Sequence, residues 1–117
     1  MELVKEAARI ADGEKGEEIQ ILDVSEVCNI CETFILISGR TRAHLRAIGE
    51  KIEEMLKRDY QVRCFAAVGY GETDWVVLDF NDFVIHIFTT EARGYYGLER
   101  LWGDAPVVEW QAGAVQN

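Results

Sequence analysis

The sequence predicts a single α/β domain with a mixed sheet of about five strands flanked by helices, and three observations carry that prediction. Short apolar runs of strand length alternate with segments of helical periodicity. Two of the runs are separated by only two residues, as a tight hairpin requires. At 117 residues, 49% of them hydrophobic, the chain can bury one core but not two.

The elements follow in order. Residues 2 to 11 set Leu3, Val4, Ala7, Ala8, Ile10 and Ala11 among Glu2, Lys5, Glu6 and Arg9, a short amphipathic helix that Asp12-Gly13 stops. An acidic linker with Glu14, Glu17 and Glu18 precedes a strand over Ile19–Val24. Ser25 to Glu32 connects it to a second strand, Thr33–Ser38. Thr41 is placed to cap a long helix whose Leu45, Ile48, Ile52, Met55 and Leu56 recur every three or four residues. Val62–Val68 reads as a third strand ending at Gly69-Tyr70-Gly71. Trp75–Phe80 and Phe83–Phe88 form the hairpin, turned at Asn81-Asp82, whose residue types tolerate positive φ. Glu91–Trp102 has a helical pattern closed by Gly103, and Ala105–Trp110 is an extended tail with no assigned role.

The hairpin carries the most functional information. Pairing Phe80 with Phe83, Asp79 with Val84, Leu78 with Ile85 and Val77 with His86 sorts the side chains onto two faces. Val76, Leu78, Phe80, Phe83, Ile85 and Ile87 make one wholly apolar face, which must be core. Trp75, Val77, Asp79, Val84, His86 and Phe88 make the other, mixing an indole, a carboxylate and an imidazole. That face is either a sheet surface covered by the last helix or a docking patch, since interface centres favour aromatic side chains with a few fixed polar groups. In the last helix Arg93, Tyr96 and Arg100 lie opposite Leu98 and Trp102 and are expected to extend the exposed surface.

Charge and composition narrow the function. Twenty-one acidic against 12 basic residues give a net charge of −9, which repels nucleic-acid backbones at long range and attracts basic proteins. No apolar run approaches the ~20 residues of a membrane span, and the first residues lack a secretory or transit pattern, so a cytoplasmic protein is expected. Cys28-Asn29-Ile30-Cys31 precedes a strand, whereas a thioredoxin-type pair opens a helix; with only Cys64, His44 and His86 as further Cys or His ligands, reduced thiols are expected and no metal. Gly69-Tyr70-Gly71 lacks the third glycine of a dinucleotide loop. Asp74, Asp79 and Asp82 could serve a divergent metal-dependent nucleotide-handling enzyme, but Asp79 and Asp82 flank the turn. No nucleophile–base pair stands out, so neither catalytic residues nor a cofactor are expected. Arg40, Arg42 and Arg46 crowd the start of a helix, where the dipole disfavours cations. They read either as a solvated turn paired with glutamates or as a local RNA-phosphate contact beside a protein-binding patch.

These pieces together resemble the Iojap-like ribosomal silencing factor family. The resemblance rests on Asp74-Trp75-Val76-Val77-Leu78-Asp79-Phe80, then Val84-Ile85-His86-Ile87-Phe88, then Arg93-Gly94-Tyr95-Tyr96-Gly97-Leu98-Glu99-Arg100-Leu101-Trp102, in that order and spacing. It spans roughly Glu17 to Ala105 of a single 1–117 domain, leaving 106–117 as a tail. The resemblance implies a nucleotidyltransferase-like fold without catalysis. It further implies a translation repressor that binds the large ribosomal subunit through its L-fourteen protein, blocks joining with the small subunit under nutrient limitation, and forms a homodimer off the ribosome. By position, Trp75, Asp79, His86, Arg93, Tyr96, Leu98 and Glu99 match the family's docking signature, whereas Arg40-Thr41-Arg42 departs from the family's serine- and threonine-rich turn, so an RNA contact at Arg40, Arg42 and Arg46 stays one of two readings.

Overall fold

A computed structural model of the chain describes residues 2–29, 31–97, 100 and 103–111. The elements are α1 (Glu2–Gly13), β1 (Glu17–Asp23), β2 (Thr33–Gly39), α2 (Arg42–Tyr60), β3 (Ala66–Val68), β4 (Trp75–Asp79), β5 (Phe83–Thr89), α3 (Thr90–Tyr96) and β6 (Val107–Val108). The six strands form one mixed sheet in the order β3-β4-β5-β2-β1-β6. Only β2 and β5 pair in parallel; the other neighbours are antiparallel.

The α/β class and the hairpin register hold: Asp79 faces Val84, Leu78 faces Ile85 and Val77 faces His86. Asn81 takes φ +80°, the left-handed conformation that Asn accepts and most residues resist. The apolar hairpin face is buried with Ile21, Ile35 and Ile37 beneath α1 and α2. From α2, Leu45, Ile48, Ile52 and Leu56 are fully buried there, each contributing about 1.5–3 kcal/mol by leaving water. Thr41 caps α2, its hydroxyl oxygen accepting from the His44 N–H at 3.0 Å.

Four expectations are corrected. The third strand is Ala66–Val68, not Val62–Val68. Gln61, at φ +59°, donates to Lys57 O and Val62 to Leu56 O, so the start of that apolar run closes α2 as a left-handed C-cap. The acidic linker is shorter than expected, because β1 begins at Glu17 and carries an irregularity between Glu17 and Gln20, with Glu18 at φ +49°. The expected Glu91–Trp102 helix is interrupted: α3 closes at Tyr96, where Gly97 adopts φ +62° and donates to Arg93 O, and Arg100 is helical again beyond it. Finally, the tail belongs to the fold: Val107 and Val108 pair with Leu22 and Ile21 as a sixth strand, and Trp110 is buried with its indole N–H donating to Ile19 O at 3.3 Å.

Candidate functional site

The second face of the sheet is built from β1, β2, β4 and β5. Leu22, Phe34, Leu36 and Phe88 fill its centre, with Val24 and Cys31 from the β1–β2 connection and Ala92 from α3. Among the described residues, α3 covers the end of this face next to the C-termini of β2 and β5. Val77, Asp79 and Val84 therefore stay half-buried toward the hairpin turn.

Trp75 is the hub. Its ring lies 4.6 Å from that of Tyr96, 5.6 Å from Phe88 and 5.8 Å from His86. The indole N–H donates to His86 Nδ1 at 3.1 Å, which fixes the plane of a large, partly exposed ring. His86 is 8% exposed, with Phe34 packed edge-on at 4.8 Å. Burial pushes its pKa down to about 4, so the ring is neutral at pH 7. Because Nδ1 accepts, the proton sits on Nε2, which is buried and finds no hydrogen-bond partner among the described residues. His86 thus orients Trp75 from beneath the surface.

Arg93 corrects the expectation that it is exposed. It is 5% exposed, and Nη1 donates to Glu18 O at 2.7 Å and Ser38 Oγ at 2.8 Å. Ser38 in turn donates to Glu18 Oε1 at 3.3 Å, and the guanidinium lies 5.8 Å from the Phe88 ring centre. The irregularity at Glu18 turns a strand carbonyl toward this cation. Arg93 clamps α3 onto β1 and β2, and so sets where Tyr96 meets Trp75. On α3 the two tyrosines Tyr95 and Tyr96 are exposed, at 83% and 53%. Nothing in the sequence pattern singles out Tyr95 as a surface residue. Leu98 and Glu99 lie outside the described residues, as do Leu101 and Trp102.

The carboxylates do not converge. Asp79 Oδ1 accepts the Asn81 N–H at 2.8 Å and so braces the turn. Asp74 holds Arg42 at 2.8 Å at the other end of β4. Among the described residues no group of three His, Cys, Asp or Glu side chains is placed to hold a metal. Arg40 pairs with Glu17 at 3.1 Å, and Arg46 with Glu50 at 3.0 Å while stacking on Tyr70. All three arginines are thus engaged by carboxylates, as the solvated-turn reading expects. Arg42 also lines a cleft of ≈ 410 Å³ with Glu72, Asp74, Glu91, Tyr95 and Tyr96, which brings the arginine turn next to the aromatic end of the mixed face. No helix among the described residues is long and apolar enough to cross a membrane.

Comparison with known proteins agrees with this picture. The chain is 32% identical to a ribosomal silencing factor of Halalkalibacterium halodurans over 108 residues, 92% of each chain. It is 31% identical to that of Bacillus subtilis over 114 residues, 97% of this chain and 96% of the other. Maize chloroplastic protein Iojap is 32% identical over 105 residues, 87% of this chain but 44% of the longer plant protein. Crystal structures from Chromobacterium violaceum and Bacillus halodurans superpose with TM-scores of 0.83 and 0.78, both at 28% identity. The first covers 87% of this chain and 84% of its own, the second 92% and 97%. The family described as "Ribosomal silencing factor during starvation" matches residues 1–117, and the chain belongs to that family of translation regulators.

Proposed function

We propose that this protein represses translation without catalysis, by docking the mixed sheet face on the large ribosomal subunit through its L-fourteen protein and so obstructing the small subunit. The observation that carries the reading is Trp75: an indole held rigidly by His86, flanked by exposed Tyr96 and by half-buried Val77, Asp79 and Val84. A preordered aromatic anchor loses little entropy on binding, which favours a tight contact. The net charge of −9 favours encounter with a basic ribosomal protein. Arg40, Arg42 and Arg46 stand beside this patch for a local ribosomal-RNA contact. Their exposed ion pairs, each worth about 0–1 kcal/mol, exchange readily for phosphate. Off the ribosome the chain forms a homodimer, and its place of action is the cytoplasm.

The test is sedimentation of the purified protein with isolated large subunits, small subunits and joined ribosomes. Binding to free large subunits alone, with loss of subunit joining, is the expected result. Trp75→Ala and Asp79→Ala, verified as folded, weaken that binding. Unchanged co-sedimentation of both folded variants overturns the reading.

A further inference from the structure

The β1–β2 connection holds two thiols that the silencing reading leaves unused. Cys28 Sγ and Cys31 Sγ lie 4.0 Å apart without being bonded. A disulfide needs about 2.05 Å between the sulfurs, an approach that side-chain rotation within a short connection can supply. The two sulfurs differ in access. Cys31 is 6% exposed, packed into the second core with its Sγ 3.8 Å from Thr33 O. Cys28 is half-buried at the rim, and both sulfur-bearing residues line an open depression of ≈ 350 Å³ together with Ser25, Asn29, Glu32 and Asp82. The frame around them is anchored: Cys28 N–H donates to Val24 O, Val24 N–H to Glu32 O, and Glu32 N–H to Asp82 O in the hairpin turn. The pair therefore sits in a braced loop that opens to solvent, with Cys28 the less buried of the two.

We propose that Cys28 and Cys31 are a reversible dithiol–disulfide site, with Cys28 meeting a peroxide and Cys31 resolving it. The Cys28 thiolate attacks one peroxide oxygen, the O–O bond breaks and one water leaves, giving a sulfenic acid at Cys28. Cys31 sulfur then attacks Cys28 sulfur, the S–S bond forms, the S–O bond breaks and a second water leaves with the remaining thiol proton. Two thiols are oxidised by two electrons and one hydrogen peroxide is reduced to two waters; a small dithiol reverses the change. Burial and the neighbouring Cys28 push the Cys31 thiol up to about 11. A thiol so seldom ionised attacks slowly, so closure of the bridge by Cys31 is the slow step of the pair.

The experiment treats the intact, folded chain with hydrogen peroxide and follows intact mass, thiol count and a tryptic map. The expected product is a monomer lighter by two hydrogens, with the three thiols of the chain reduced to one. Trypsin places Cys28 and Cys31 together on the peptide spanning 16–40 and Cys64 on the one spanning 64–93, so the map locates the bridge without any variant. Cys64→Ser retains the two-hydrogen loss, Cys28→Ser abolishes it, and dithiothreitol restores three thiols in the wild type. Over-oxidation without a bridge, a bridge to Cys64, or an intermolecular dimer as the main product each overturns the proposal.

Discussion

Lowering the pH should unfold this protein through one imidazole. His86 is 8% exposed and ringed by Phe34, Trp75 and Phe88, and its pKa falls from the ordinary 6.5 to about 4 on folding. Between those values the unfolded chain holds a proton that the folded chain refuses, so stability rises with pH across the window. The contribution is whole above pH 6.5 and is lost as the pH falls toward 4. At about 1.4 kcal/mol per pKa unit, the full loss is about 3 kcal/mol, of which roughly 2 kcal/mol has gone by pH 5. Protonation at Nδ1 also sets a donor against the Trp75 indole N–H, so Trp75 loses its anchor in the same step. The assay is urea denaturation at pH 7.5 and pH 5.0 for the wild type and His86→Gln. His44 and the carboxylates are common to both proteins and cancel in the difference. The wild type should lose roughly 2 kcal/mol more than the variant over that interval. Equal losses would show that His86 takes up its proton without cost in the folded state, and would refute the assignment of a buried, neutral imidazole.

Other outcomes follow from particular contacts. Arg93→Ala takes from Glu18 O and Ser38 Oγ the cation that donates to both and should cost about 3 kcal/mol in urea denaturation; a loss below about 1 kcal/mol would contradict the clamp. Gly49→Ala should destabilise by about 1–3 kcal/mol, because a β-carbon there collides with the Tyr70 hydroxyl that donates to Glu53; Tyr70→Ala in the same chain should remove most of that penalty. Trp110→Ala should cost about 3 kcal/mol and lower the melting temperature, whereas a tail without a role predicts no change. Arg42→Ala removes an exposed ion pair and should change stability by less than about 1 kcal/mol.

The hairpin was readable from sequence because three local signals agree there. Asn81 accepts positive φ, the two-residue turn fixes the register, and strict alternation assigns each face. The same local reasoning misplaced Arg93. A cation in a helical pattern defaults to the wet side, and what buries it is a carbonyl 75 residues away, turned inward by an irregularity that leaves no periodic mark. The sixth strand escaped notice because a two-residue Val-Val segment has no measurable period, and its partner β1 supplies the reason it is extended. Val62 looked like a strand start because helix-capping apolar residues and strand residues share one composition. For the site, the sequence marked Trp75 and His86 but not their division of labour. Which ring is exposed and which is the hidden brace depends on how far α3 reaches across the sheet.

The single parallel seam has a consequence for the newborn chain. β1 with β2, and β4 with β5, are local antiparallel pairs that can assemble while the polypeptide is still emerging. β2 with β5 joins residues some fifty positions apart, with all of α2 in between, and closing such a loop is entropically slow. Phe34 and Leu36 stand on one side of that seam and His86 and Phe88 on the other, so the aromatic platform comes into being only when the seam zips. Truncated products ending before Phe83 would carry every residue of the N-terminal half and still lack one whole side of that seam. The two sides of the platform therefore meet only after β5 has been made.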